Sequence, residues 1–319
     1  MLNKISKAFE IIINRSILIF ISAIKNILLS SFLKYVFGHK YYLRRIYDFK
    51  MFLNNEDRGI SRSLTLFGKR EEDQKFILEK IIKKHMKIFD IGSNIGYYVL
   101  IENQLLKSTG EIVAIEPNQA NIKVLKKNIC LNKIDGNRIN IEEYGVSNIS
   151  GKKKFYLAKQ SNLHTFHPKG SAKDFLTGEI SHIKTITISE LSKKHFKPDF
   201  IRMDVEGHEV EILSSIIRDI KRNFFRPVIC FEPHISSYNK NHNLEPILIN
   251  LFELGYKTRY LSSNSNSGTK RITAVTNKKP IKVLKSDGEI RSIFENINSC
   301  NTIDILTKTG GARTVLISK

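Results

Sequence analysis

The chain has 319 residues, 41% hydrophobic and 26% charged, the composition of an ordinary globular protein with room for a full core rather than of a fibrous or disordered chain. Lysine and arginine number 52 against 31 aspartate and glutamate, a net charge of +21 that suits nucleic acid, anionic lipid headgroups or phosphorylated substrates. The basic residues are spread along the whole chain, so charge alone names no partner. Cys130, Cys230 and Cys300 lie far apart, with no C-x-x-C pair and no histidine at metal-ligand spacing. They read as reduced thiols of a cytoplasmic protein, and no metal site is expected.

Residues 1–68 read as an N-terminal helical extension and 69–319 as the main domain. Within the extension, "IIINRSILIFISAIKNILLSSFLKYVF" (11–37) is rich in Ile, Leu and Phe. Arg15, Lys25 and Lys34 interrupt it before the roughly 18 apolar residues of a spanning helix accumulate. On a helical wheel Ser22, Lys25, Asn26 and Ser30 share one face, and Ile21, Ile24, Ile27, Leu28 and Phe32 the opposite one. Such an amphipathic helix suits packing on its own domain, or peripheral contact with a membrane alongside Lys40, Arg44 and Arg45. An uncleaved signal-anchor is the third reading, since a small-residue cleavage site is not evident.

From about residue 70 strand-like and helix-like segments alternate. "KIFDIG" (87–92), "EIVAIEP" (111–117), "RINIEEYGV" (138–146), "PDFIRMDVEG" (198–207) and "RPVICFEPH" (226–234) each carry the short apolar core of a buried parallel strand. Amphipathic stretches at 96–107, 118–131, 208–221 and 244–254 separate most of them. This alternation predicts a doubly wound α/β sheet with ligands at the carboxyl ends of the strands. "KKKFYLA" (152–158) reads as an added hairpin strand, "SSNSNSGT" (262–269) as a polar loop and "ARTVLISK" (312–319) as a late edge strand.

The first of these strands runs into Gly92 and Gly96, spaced as G-S-N-I-G, which lacks the G-x-G-x-x-G cradle for a pyrophosphate; no G-x-x-x-x-G-K-[ST] phosphate loop occurs either. Glu116 ends the second strand, just before Pro117. An acid there can accept both hydroxyls of a ribose, and Gly92 permits close backbone approach. Ribose recognition without a pyrophosphate site points to S-adenosylmethionine.

The motifs "FDIGSNIGYY", "IEPNQANIKVLKKNICLN", "YGVSNISGKKKFYLA", "TITISEL", "PDFIRMDVEGHEVEIL" and "PVICFEPH" together resemble the FkbM family of S-adenosylmethionine-dependent methyltransferases, over roughly residues 70–260. The resemblance implies a Rossmann-like, seven-stranded, mostly parallel fold. It also implies methyl transfer to a hydroxyl, commonly of a sugar in glycan assembly or of a natural-product scaffold. On the cofactor side Asp90, Gly92, Ser93, Asn94, Gly96, Glu116 and Asn118 are the candidates, with Asp90 toward the methionine ammonium or the turn backbone and Asn118 able simply to cap the next helix. The adenine is expected near Glu143–Val146.

On the acceptor side Asp204 stands where the sheet order reverses, and His208, Glu232 and His234 converge on the same crevice. His208, at a helix start whose dipole disfavours imidazolium, is a candidate general base. Residues 160–184 carry His164, His167, Lys169 and Lys173 and read as a polar lid over the acceptor. The alternatives are nucleic-acid methylation, argued against by the lack of an Asn/Asp-Pro-Pro-aromatic motif, and a non-catalytic cofactor-binding or membrane-associated protein.

Overall fold

A computed structural model describes residues 16–319 apart from Ser108, Ser171 and Asn223. Residues 11–15 of the apolar N-terminal segment lie outside the described residues. The rest of that segment is helix α1 (Ile17–Phe37), followed by the hairpin β1 (Tyr41–Ile46) and β2 (Phe49–Asn54), then α2 (Ile60–Phe67) and α3 (Glu72–Ile81). The α/β portion runs β3 (Lys87–Ile91), α4 (Tyr97–Leu105), β4 (Glu111–Ile115), α5 (Gln119–Leu131) and β5 (Ile139–Glu142). Three further strands follow, β6 (Gly145–Val146), β7 (Gly151–Ala158) and β8 (Leu176–Ile186), before α6 (Ile188–Lys194), β9 (Phe200–Met203), α7 (Glu209–Lys221) and β10 (Val228–Phe231). The chain closes with α8 (Glu245–Glu253), β11 (Lys257–Ser263), α9 (Asn266–Thr276), β12 (Lys282–Ser286), β13 (Glu289–Ile297), α10 (Ser299–Asp304) and β14 (Ala312–Ser318).

Among the described residues the large sheet has nine strands, in the order β12-β13-β11-β14-β10-β9-β3-β4-β5. Strands β10, β9, β3, β4 and β5 are mutually parallel, as the alternation of apolar runs and helices requires. The expected seven strands become nine because the hairpin β12–β13 extends the edge beyond β11. The closing segment is not an edge strand. β14 lies between β10 and β11, antiparallel to both, with Val315, Leu316 and Ile317 fully buried. β6, β7 and β8 form a separate three-stranded sheet, so the end of the expected polar lid, 176–184, is strand, while 160–170 and 172–175 cross over as loop and short turn. The polar stretch 262–269 holds the start of α9, which Ser265 caps by accepting from the Gly268 N–H at 3.2 Å.

The hairpin near the N-terminus is built into the core. Met51 and Leu53 are fully buried in one apolar cluster with residues of α3, α4 and β3. Asn128 on α5 and Asn132 just past its end hold β2, accepting from Phe52 N–H at 2.7 Å and Lys50 N–H at 2.9 Å. Helix α1 packs by a narrow mixed stripe rather than by its apolar face. Ala23 and Ser30 are buried, Leu33 packs against the core and Asn26 accepts from the Tyr42 hydroxyl at 3.2 Å, while Ser22 and Lys25 of the polar face are exposed. Ile21, Leu28 and Phe32 are 56%, 63% and 53% exposed. The helix is apolar on most of its circumference, and at 21 residues with a mean hydropathy of 1.7 it meets the length and composition of a spanning segment despite Lys25 and Lys34.

Candidate active site

A cavity of about 390 Å³ opens at the carboxyl ends of β3, β4, β9 and β10, lined by the turns that follow those strands. After β3 the chain folds back at Gly92, whose φ is +80° and whose N–H bonds the Ile115 carbonyl at 2.9 Å. A Cβ at Gly92 would stand 2.1 Å from the Asp204 carbonyl oxygen, so the glycine lets the turns after β3 and β9 touch. Here the missing side chain admits the neighbouring backbone, not the ligand. Asn94, at φ +49°, sends its N–H to Glu116 Oε2 at 2.9 Å and its amide to the Ser161 carbonyl at 2.9 Å.

Glu116 is 5% exposed and accepts also from the Asn118 N–H at 2.8 Å and the Asn121 amide at 3.4 Å. A carboxylate has about four accepting positions, so one remains for a ribose hydroxyl. Burial pushes the Glu116 carboxyl up to about 7, against the pull of the Asn118 and Asn94 N–H groups. The wall continues through Tyr144, Gly145 and Val146, while Glu143 pairs with Lys126 at 2.8 Å on the surface. These residues fit the nucleoside end of S-adenosylmethionine.

The other end of the cavity is ionic. Arg313 of β14 reaches Glu232 through Nη1 and Glu71 Oε1 through Nη2 at 2.7 Å. Glu71 also accepts from Arg70 Nε at 3.1 Å and the Tyr98 hydroxyl at 2.7 Å. Although burial opposes it, Arg70 and Arg313 hold the Glu71 carboxyl well below its usual range. His234 sits among three carboxylates, with Glu209 at 2.7 Å, Glu206 at 3.4 Å and Glu232 at 3.8 Å. Burial alone would lower it, but Glu206 and Glu209 outweigh that and keep the ring protonated, well above the usual histidine value. Burial pushes the Glu232 carboxyl up to about 8, opposed by Arg313. Asp204 receives Arg202 Nη2 at a long 3.4 Å.

His208 lines the cavity, yet both ring nitrogens are engaged, Nδ1 with His167 at 2.9 Å and Nε2 with the Ser147 hydroxyl at 3.0 Å. Burial pushes it down to about 3. The ring is neutral as expected, but from burial, and at that value it is a poor proton acceptor.

Of the residues singled out in the sequence, Gly92, Ser93, Asn94, Glu116, Asp204, His208, Glu232 and His234 line the cavity. Asp90, Gly96 and Asn118 do not. Asp90 is fully buried on the face of β3 that packs under α4, directly opposite Arg202 in the parallel register, and pairs with it at 2.8 Å. Gly96 begins α4 at φ +88°, where a Cβ would meet Leu125 at 2.6 Å. Asn118 caps α5, accepting from the Ala120 and Asn121 N–H groups. Of the expected lid, His164 reaches the cavity and accepts from the Ala158 N–H at 2.9 Å. The sequence reading missed Arg70, Glu71, Tyr98, Arg202 and Arg313, which lie in or outside the motifs with no spacing that marks them.

Residues 90–258, just over half of the chain, match the model of the methyltransferase FkbM domain. A stretch of 131 residues is 31% identical to the hexuronic acid methyltransferase AglP of Haloferax volcanii, covering 40% of this chain and 49% of that protein. Among solved structures, an FkbM methyltransferase from Methylobacillus flagellatus is 16% identical, with 59% of this chain and 46% of that chain covered and a TM-score of 0.37. TYW2 of M. jannaschii in complex with AdoMet is 14% identical, with 88% and 84% covered and a TM-score of 0.38. The chain spans about half the length of AglP and of the Methylobacillus protein. It belongs to the FkbM methyltransferase domain family, whose cofactor is S-adenosylmethionine.

Proposed function

We propose that the chain transfers the methyl group of S-adenosylmethionine to a hydroxyl of a sugar or similar polyhydroxylated acceptor. The observation that carries this reading is the lining of the acceptor end, where Asp204, Glu206, Glu232, His234 and Arg313 crowd one wall. Such an array of ionic donors and acceptors matches a polyol's many hydroxyls and offers little to an apolar acceptor. The Haloferax protein named for hexuronic acid supports a sugar.

The cofactor supplies an electrophilic methyl group on its sulfonium. The chain's own share is to hold the cofactor through Glu116 and the 92–94 turn and to align the acceptor hydroxyl, and positioning of this kind contributes about 7–11 kcal/mol. Asp204 accepts the hydroxyl proton, because its contact to Arg202 leaves it the least committed group on that wall. His234 already holds a proton, Glu232 is tied to Arg313, and His208 is spoken for at both nitrogens.

Labelled-methyl transfer to glycan and lipid-linked saccharide fractions tests this, with base-stable label as the expected product because an ether survives mild alkali and a methyl ester does not. Label entering only nucleic acid, or only as a base-labile ester, overturns the reading. The outward apolar face of α1 supports a further part of the proposal, that the enzyme works against an anionic membrane surface.

A further inference from the structure

We propose that His167, His208 and Glu211 form a binding site for one divalent transition ion of the zinc class, clamping the loop that carries His167 to the start of α7. The three donor atoms make a closed triangle: His167 Nε2 to His208 Nδ1 is 2.9 Å, His208 Nδ1 to Glu211 Oε2 is 3.3 Å, and His167 Nε2 to Glu211 Oε2 is 3.8 Å. Ligands about 2.0–2.2 Å from a tetrahedral ion stand roughly 3.3–3.6 Å apart, and the three edges straddle that value.

Hydrogen bonding alone leaves this triangle unsatisfied. His208 Nδ1 faces both His167 Nε2 and Glu211 Oε2, and one proton between the two rings serves only one contact. Glu211 Oε2 is buried and has no hydrogen-bond partner among the described residues. A cation at the centre satisfies all three donors at once. Two imidazoles and one carboxylate are the ligand types zinc takes, with a fourth position left for water.

The surroundings have the form of an outer ligand shell. Ser147 engages the far nitrogen of His208 at 3.0 Å, which fixes the ring. His242 holds the other oxygen of Glu211 through Nδ1 at 3.2 Å and is itself anchored to the Gly207 carbonyl through Nε2 at 2.7 Å. His208 and Glu211 share one face of the helix start at a spacing of three, and His167 arrives from the loop whose residues 161–164 and 166 line the cavity. The ion therefore sets the position of a cavity wall that reaches the Glu116 end, where the Ser161 carbonyl accepts from the Asn94 amide at 2.9 Å and the Asn121 amide at 3.1 Å.

The test is titration of the full chain, stripped with a chelator, with Co²⁺ as a spectroscopic stand-in. We expect one equivalent to bind with the intense visible bands of a tetrahedral site, Zn²⁺ to displace it, and the thermal midpoint to rise. His167→Ala and Glu211→Gln, each checked for native circular dichroism, should weaken binding by more than the roughly 10–100-fold that loss of an outer partner costs. His234→Gln, which alters the neighbouring Asp204, Glu206 and His234 group, should leave the cobalt spectrum unchanged. Absence of the tetrahedral bands, equal binding in the His167 and Glu211 variants, or loss of the spectrum in the His234 variant overturns the assignment.

Discussion

Glu116 is a buried carboxyl on the cavity wall, the group we propose to hold the ribose. Burial raises it to about 7, so the free protein holds it partly protonated near neutrality, with Asp90 the further acid that pushes it upward. Ribose hydroxyls donate to the ionised form, so S-adenosylmethionine affinity should rise with pH through about 7, and binding just below that value should release a proton. The group's own effect on fold stability has the opposite sign. Its folded value is above its unfolded one, so the stability it contributes is present at low pH and is lost as pH rises through about 7. Calorimetry of Glu116→Gln should show at least tenfold weaker binding, since a hydrogen bond to a charged group contributes roughly 1.5–3 kcal/mol, and a flat pH profile. An unchanged profile would remove Glu116 from the site. For Asp204→Asn the expected outcome is a turnover number lower by about 10²–10⁴-fold with cofactor affinity kept, and a near-normal rate would pass the proton to another group. Glu116 and Asp204 were legible because each ends a short apolar strand, the place where such sheets bind ligands. Arg313 and Glu71 were not, since they meet across 242 positions of sequence and only the burial of β14 inside the sheet brings them together.

At the scale of elements, the parallel strands could be read from the chain because each must be apolar on both faces, and the helices between them because each buries one stripe. The hairpin β1–β2 escaped for an identifiable reason. Its turn places Tyr47 at φ +51°, so no Asn-Gly or Asp-Gly pair announces it, and its packing onto Asn128 and Asn132 depends on a helix far along the chain. The added hairpin β12–β13 is held by another long-range device. Asp73 of α3 is fully buried and binds Arg291 at 2.8 Å, Ser262 at 2.8 Å and Ser286 at 2.6 Å, joining α3 to β11, β12 and β13. Arg291 keeps a second carboxylate, Asp287 at 3.2 Å, but the Ser262 and Ser286 hydroxyls lose their charged acceptor, so Asp73→Ala should lower unfolding free energy by roughly 1.5–3 kcal/mol in denaturant titration. A loss under about 1 kcal/mol would mean that Arg291 finds water and that the extra strands are held by apolar packing alone.

For the whole molecule, the net charge of +21 and the outward face of α1 have to be weighed together. Charge by itself favours any polyanion, and a scattered excess is screened within about 8–10 Å at physiological salt. The apolar face discriminates between polyanions, because nucleic acid offers it nothing and a bilayer offers it the acyl boundary. The inward stripe matters as much as the outward apolar one. The burial of Ala23 and Ser30 and the bond from Tyr42 to Asn26 tie α1 to the domain, which favours a helix lying along the surface over one that leaves the domain to cross the membrane, although its length would suffice. Lys25 on the helix, with Lys40 and Arg45 just beyond it, is exposed and available to headgroups. The protein should therefore float with phosphatidylglycerol-containing vesicles, less with neutral ones, and be released by salt. Full burial of one large apolar side chain contributes about 1.5–3 kcal/mol, so the full chain carrying Ile21→Glu, Leu28→Glu and Phe32→Glu should partition at least about 10²-fold less well. These positions are already exposed, so the fold and S-adenosylmethionine binding should persist in that variant. Wild-type protein that stays with the soluble fraction at low salt would sink the membrane reading, and protein that resists both salt and alkaline washing would show that α1 inserts across the bilayer instead.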